Sequence, residues 1–155
     1  MRFVINFISV DRIKKLSSVN KKEALEEMVE LIGISELITD KKEFLEKIIE
    51  RENILSTGIG LGIAVPHVKL PSVKDFVIAI GVSKKGIQFD AIDARPVHII
   101  VMIGASGRQG GEYIKVLAKI VLLLKNKEVR HKIVYANSST EIYEIFEKCS
   151  EKYLL

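Results

Sequence analysis

Tryptophan is absent from this 155-residue chain, and aromatic residues make up only 6% of it. That scarcity argues against an aromatic-lined sugar groove or a platform on which bases stack. There is a single cysteine, Cys149, so neither an internal disulfide nor a cysteine-based zinc site can form within the chain. No apolar run approaches the roughly 18 residues of a membrane span. The longest, Val116 to Leu124, is broken by Lys119. The opening Met1-Arg2-Phe3-Val4-Ile5-Asn6-Phe7-Ile8 does not read as a secretory signal, because Asn6 interrupts its apolar patch and Asp11-Arg12 close it early. A cytoplasmic protein with no direct membrane insertion is expected. Repeats, low-complexity tracts and interdomain linkers are missing too, so residues 1–155 are expected to form one domain.

Charge of one sign does not gather into a long run of the sequence. Lys and Arg number 24 against 20 Asp and Glu, a net +4. The lysines at 14–15, 21–22, 41–42 and 84–85 come as scattered pairs, most with acidic residues nearby. There is no Arg-rich run and no basic stripe along one helix face, so a nucleic-acid partner is not expected. Hydrophobic residues at 48% and charged residues at 28% are those of an ordinary globular domain and exclude disorder or a fibrous structure. A domain of about this length buries roughly 68–70% of the surface its unfolded chain exposes, and it needs no covalent staple.

Capping chemistry predicts three helix starts. Asn20 stands three residues before Glu23, Asp40 before Glu43 and Ser138 before Glu141; in each case the first side chain can accept a backbone N–H while the glutamate reaches back. Apolar residues then recur at helical spacing: Ala24, Leu25, Met28, Val29 and Ile32 up to a stop at Gly33; Phe44, Leu45, Ile48 and Ile49; Ile142, Ile145, Phe146 and Cys149. Cys149 on that last stripe reads as packing. A longer helix is expected from about Glu112 to Lys125, and a shorter one near Glu128 to Val134. Phe76 to Val82 and Val97 to Ile103 read as strands buried on both faces, with shorter strands at Gly62 to Val65 and Ile13 to Leu16. Helices before and after a central group of strands predict an α/β sheet covered on both sides.

Chemistry concentrates between Arg51 and His67. The chain leaves a helix with Arg51-Glu52, crosses Ser56-Thr57 and three glycines in five residues (Gly58, Gly60, Gly62), enters a short apolar strand, and meets Pro66-His67. Proline brings no N–H to a ladder, so pairing is expected to stop at Pro66 and the backbone to project His67 outward from the strand end, where open α/β sheets bind ligands. An imidazole there can act as general base, metal ligand or nucleophile. No partner ligands stand at short spacing for a metal, and the Gly-x-Ser-x-Gly elbow of serine hydrolases is absent. A neutral imidazole is a good nucleophile at phosphorus, and Arg51, the hydroxyls of Ser56 and Thr57 and the glycine N–H groups are what a phosphoryl site would use. Gly-x-Gly-x-Gly matches neither a Walker loop nor a dinucleotide fingerprint. On these residues alone, a phosphoryl site and a glycine loop beside an exposed histidine stand level.

Arg51-Glu52, Ser56-Thr57-Gly58-Ile59-Gly60 and Gly62-Ile63-Ala64-Val65-Pro66-His67 together resemble the signature of the type-2 EIIA family, the fructose/mannitol and nitrogen-regulatory members of the bacterial phosphoenolpyruvate-dependent phosphotransferase system. The similarity continues through Gly86 to Asp93 and Pro96-Val97-His98. It implies a three-layer α/β/α domain with a mixed β-sheet. It implies that His67 accepts a phosphoryl group from the carrier HPr, or from its regulatory relative NPr, and that Arg51 neutralises the phosphoryl oxygens. Thr57, with Ser56, Gly58 and nearby amides, would orient them. No metal or organic cofactor is called for.

Two positions depart from the family pattern. Val68 stands where glycine often follows the active histidine. Tyr113, in Glu112-Tyr113-Ile114, stands where sugar-specific members carry a second histidine. Tyrosine donates a hydrogen bond but supplies no imidazolium charge near neutral pH, which bears on onward transfer rather than on phosphorylation. His98, inside an apolar strand, reads as structural, and His131, between Arg130 and Lys132, as solvated. Arg108 and Gln109 fall in a glycine-rich loop that either closes over a partner or moves freely. Three functions remain: a carrier passing phosphate to a IIB cysteine for sugar uptake, a regulator whose phosphorylation selects the protein it binds, or a relative that only binds partners. The missing second histidine and the lack of attached IIB or IIC regions favour regulation, and the pairing of Arg51 with His67 disfavours the last.

Overall fold

The computed structural model describes residues 2–153 and 155. After two 3₁₀ turns, Val4–Phe7 and Val10–Arg12, come strand β1 (Ile13–Lys15) and helices α1 (Lys21–Ile32) and α2 (Lys41–Ile54). Four of the remaining strands are β2 (Gly58–Gly60), β3 (Ile63–Ala64), β4 (His67–Leu70) and β5 (Val77–Ile87). Strand β6 (Val97–Ser106) then leads to helices α3 (Gly111–Leu124), α4 (Lys127–Val134) and α5 (Ser139–Tyr153). The sheet runs β1-β5-β6-β3-β2, with β4 also on β6. It is mixed: β5 lies antiparallel to β6, whereas β3 and β4 run parallel to it.

The period-2 alternation of strands sorts the apolar residues into two cores. Ile78 and Ile80 of β5 with Val101 and Ile103 of β6 meet Ile120, Ile133 and Phe146 of the last three helices on one face. Val77, Ala79, Ile100 and Met102 meet Met28, Ile32, Phe44 and Ile48 of α1 and α2 on the other. Helices therefore cover both faces of the sheet, the three-layer arrangement expected. Half-buried Cys149 packs against the first core, and burial raises its thiol pKa, so it remains an inert packing group.

All three anticipated caps form: the N–H groups of Glu23, Glu43 and Glu141 donate to Asn20, Asp40 and Ser138 at 3.0, 3.0 and 3.1 Å. The reciprocal half of each box is different. Glu43 accepts from the Ser72 hydroxyl, Glu141 from the N–H of Asn137, and no bond from Glu23 back to Asn20 forms among the described residues. Strand ends also differ from expectation. β5 runs on to Ile87 and β6 to Ser106, past the apolar segments that marked them.

The main correction lies at Pro66. Pairing does not end there, and His67 does not project from a strand end; it opens β4. β3 pairs Ile63 with Ile99 and β4 pairs His67 with Ile103, so the register is unchanged across the break. Pro66 still accepts from the Ile103 N–H at 3.0 Å. What it lacks is the N–H that would reach back to β6, which interrupts the ladder locally without releasing the strand from the sheet. β2 and β3 are joined by Leu61-Gly62, with φ of 58° and 76°, a type I′ hairpin turn.

Candidate phosphoryl-transfer site

Alternation along β4 fixes the direction of each side chain. Val68 and Leu70 turn into the α1/α2 core, so His67 and Lys69 face the α3 side. There the half-buried His67 ring meets Tyr113 in the first turn of α3, with ring centroids 5.8 Å apart and planes tilted by 58°. Lys69 places Nζ 5.9 Å from the centre of the same tyrosine ring. No local pattern marks Lys69 as long as Pro66 reads as a strand end. Two residues beyond His67, it would have been found by assuming a strand across the proline.

The imidazole is held by its Nδ1, which lies 2.7 Å from the carbonyl oxygen of Val65. A carbonyl only accepts, so Nδ1 carries the proton and Nε2 keeps its lone pair. Burial lowers the pKa of the ring below its ordinary 6.5, and the charge of Arg51 acts in the same direction; the Val65 hydrogen bond and Glu52 oppose them. Near neutral pH the ring is therefore a neutral, oriented nucleophile. Burial likewise raises Tyr113 well above its ordinary value, with Arg51 opposing. Its hydroxyl stays a proton donor across the physiological range.

Arg51 lies in the last turn of α2, and its Nη1 donates to the Leu55 carbonyl at 3.0 Å. Its charge is felt at both His67 and Tyr113. The structure thus sets His67 against Tyr113, with Arg51 near enough for its charge to act on both. Thr57 and Gly58 are deployed differently from expectation. The Thr57 N–H and hydroxyl both donate to Glu52, at 2.8 and 2.5 Å, and Thr57 is only 4% exposed. The Gly58 N–H donates to the Ser56 hydroxyl at 3.0 Å, while a Cβ on Gly58 would lie 2.7 Å from that of Ala91. Neither the Thr57 hydroxyl proton nor the Gly58 N–H is left for a phosphoryl oxygen. Thr57 and Gly58 instead fix the course of the loop, while the Ser56 hydroxyl only accepts there.

Glu52, which sequence reasoning quoted without a role, is the centre of that loop. It is 5% exposed, takes both Thr57 donors and pairs with Lys21 Nζ at 2.7 Å. Removing the carboxylate would leave those donors unpartnered in a dry setting. Lys21 sits thirty-one residues upstream, at the start of α1, and no local spacing announces it. On the opposite side, Gln109 is fixed rather than mobile. Its Nε2 donates to Asp75 at 2.6 Å and its Oε1 accepts the Ser106 N–H at 2.8 Å, which pins the turn before α3. α3 itself begins at Gly111 without a side-chain cap, in the turn that carries Tyr113. Among the described residues no cluster of His, Cys, Asp or Glu could hold a metal ion, and no helix is long and apolar enough to cross a membrane.

The model of the family described as "Phosphoenolpyruvate-dependent sugar phosphotransferase system, EIIA 2" matches residues 6–149. The chain is 36% identical over 133 residues to the nitrogen regulatory protein of Klebsiella oxytoca, covering 81% of this chain and 78% of that one. It is 33% identical over 133 residues to the phosphotransferase-system fructose-specific EIIABC component of Bacillus subtilis (strain 168), covering 86% of this chain; it spans only 21% of that longer protein. The crystal structure of the nitrogen regulatory protein IIA-Ntr from Neisseria meningitidis superposes with a TM-score of 0.85 at 26% identity, covering 92% of this chain and 97% of that one. With the family model running through both cores and the loop from Arg51 to His67, the chain belongs to the EIIA type 2 family of the phosphoenolpyruvate-dependent sugar phosphotransferase system.

Proposed function

We propose that this protein is a phosphocarrier whose Nε2 of His67 accepts a phosphoryl group from a phosphohistidine on HPr or NPr. The observation that carries the reading is the Nδ1 contact to Val65 at 2.7 Å, which leaves Nε2 as the one basic nitrogen of a neutral ring. In the transfer the Nε2 lone pair forms the new bond to phosphorus as the donor's P–N bond breaks. The released electron pair stays with the donor imidazole, and no proton need move. The phosphorylated His67 ring gains imidazolium character, which the Val65 carbonyl stabilises through Nδ1–H, while Arg51 faces the incoming phosphoryl oxygens.

A protein donor is supported by the exposed apolar residues around the site. Leu55, Ile92 and Ile114 are 63%, 67% and 68% exposed. Leu55 follows Arg51 at the end of α2, Ile92 hydrogen-bonds to Gly58, and Ile114 adjoins Tyr113. The regulatory role, in which the phosphorylation state of a cytoplasmic protein selects its target, is favoured by Tyr113 lying against His67 where sugar-specific members carry imidazole. Sugar transport through a IIB cysteine is the second reading, favoured by the likeness to the fructose-specific protein.

Incubation with phosphoenolpyruvate, Enzyme I and HPr or NPr is expected to place one acid-labile label on the protein. His67→Ala should abolish it, and a label that persists there refutes the assignment. Discharge of the labelled protein by a IIB partner separates the two roles: slow discharge supports regulation, rapid discharge transport.

A further inference from the structure

A second cluster of basic residues lies apart from His67. Lys84 of β5, His98 of β6, and Lys127, Arg130 and His131 of α4 line a cavity of about 270 Å³ together with Tyr135. The turn Leu61-Gly62 closes one side. His98 stands five residues before Ile103, the register partner of His67, or about 16 Å along the strand. The chemistry of the wall is one-sided: no carboxylate contributes to it. None of Lys84, Lys127 and Arg130 forms an ion pair among the described residues. The groove beside α1 and α2 differs, since there Glu23, Glu26, Glu27 and Glu30 face Lys14, Lys41 and Lys42 and the charges cancel locally.

Two of the three cations, Arg130 and Lys84, are also held in place. Arg130 Nη1 donates to the carbonyls of Leu124 and Lys125 at 2.9 and 2.7 Å, which anchors the guanidinium. Its other N–H groups have no protein acceptor among the described residues. Lys84 Nζ stands 5.5 Å from the centre of the Tyr135 ring, and the His131 ring lies 4.6 Å from it, tilted by 39°. His98 directs Nδ1 at the Ser83 carbonyl, 2.8 Å away, and forms a fixed wall. Holding unpaired cations together is unfavourable unless an anion joins them, and no carboxylate of the open groove cancels their charge. The volume sits just below the usual range for ligand pockets. It admits a phosphate bearing a small ester, and Tyr135, 59% exposed, offers an aromatic face beside it.

We propose that this pocket binds a small phosphorylated molecule, its phosphate held by Lys84, Lys127 and Arg130. The site is independent of phosphoryl transfer at His67, and its test reads binding alone. Inorganic phosphate, diphosphate and ADP are titrated into the full-length ¹⁵N-labelled protein. Shifts confined to residues 61–62, 84, 98 and 127–135 are expected, growing with the charge of the ligand and weakening as salt is raised. Tighter binding of ADP than of diphosphate, with shifts of the Tyr135 ring, identifies an organic phosphate; equal affinity assigns the interaction to the phosphate groups alone. Lys84→Gln combined with Lys127→Gln should weaken diphosphate binding at least tenfold with an unchanged melting temperature, while Lys148→Gln leaves it intact. Shifts spread over all exposed lysines, shifts centred on His67, wild-type affinity in the double variant, or binding of anionic vesicles or RNA without these small anions would each overturn the proposal.

Discussion

His67 is tuned by its neighbours rather than by any unusual chemistry of its own. Its burial and the adjacent Arg51 both favour the neutral ring, and the neutral ring is the nucleophile. Phosphorylation should therefore rise with pH to a plateau, with a midpoint below the ordinary 6.5. Arg51→Gln removes a cation that holds the midpoint down, so the midpoint should move up toward 6.5. The rate on the plateau should fall about 100-fold as charge stabilisation is lost. Initial rates of transfer from the phosphorylated carrier between pH 5 and 8 check both effects. A fall in rate accompanied by loss of the circular dichroism signal would instead make Arg51 a structural residue. Of the site, His67, Arg51 and Tyr113 were legible because their types and motif positions carry the chemistry. Glu52 and Lys21 were not, because a buried ion pair between residues on different helices leaves no local pattern.

At the scale of elements, the segment from β2 to β4 shows where sequence patterns succeed and fail. Helices were legible from their caps and apolar stripes, and β5 and β6 from β-branched runs buried on both faces. β2 and β4 were not. β2 is three residues with two glycines, and β4 follows a proline, so propensity speaks against both. Pairing overrides it, of β2 with β3 and of β4 along β6, and the ladder of β3 and β4 on β6 delivers Val65 and His67 in fixed relation. Leu61 pays for this hairpin locally: at φ 58° its Cβ crowds the backbone. Leu61 is also 56% exposed, so little packing is at stake. Leu61→Asn should stabilise the fold by about 0.5–1 kcal/mol, since asparagine tolerates that conformation. Urea unfolding of the two proteins measures it, and a loss of stability would show that Leu61 has packing the turn geometry does not reveal.

For the whole molecule, one sheet separates two apolar cores, and polar clamps join the segments around them. The tightest clamp is Glu27 of α1, which accepts from the N–H and hydroxyl groups of Ser17 and Ser18 and from Lys14 Nζ at 2.8 Å. Although burial opposes it, these donors bring the carboxyl down from 4.5 to about 2. A depressed carboxylate contributes stability above its unfolded value of 4.5, and that stability is lost as pH falls toward the folded one. The carboxylate is only 11% exposed, so the shift corresponds to about 3 kcal/mol at neutral pH. Glu27→Gln should lower stability at pH 7 by about 2–3 kcal/mol and flatten its decline between pH 5 and 2. Denaturant midpoints across that range decide it, and an unchanged slope would assign acid unfolding to other carboxylates.

The nitrogen that carries phosphorus is the sharpest test of the site. Long-range ¹H–¹⁵N spectra of the protein phosphorylated through its carrier distinguish the two ring positions of His67. Phosphorus on Nε2, with Nδ1 still protonated toward Val65, is the predicted result. Phosphorus on Nδ1, or on a residue other than His67, would contradict it.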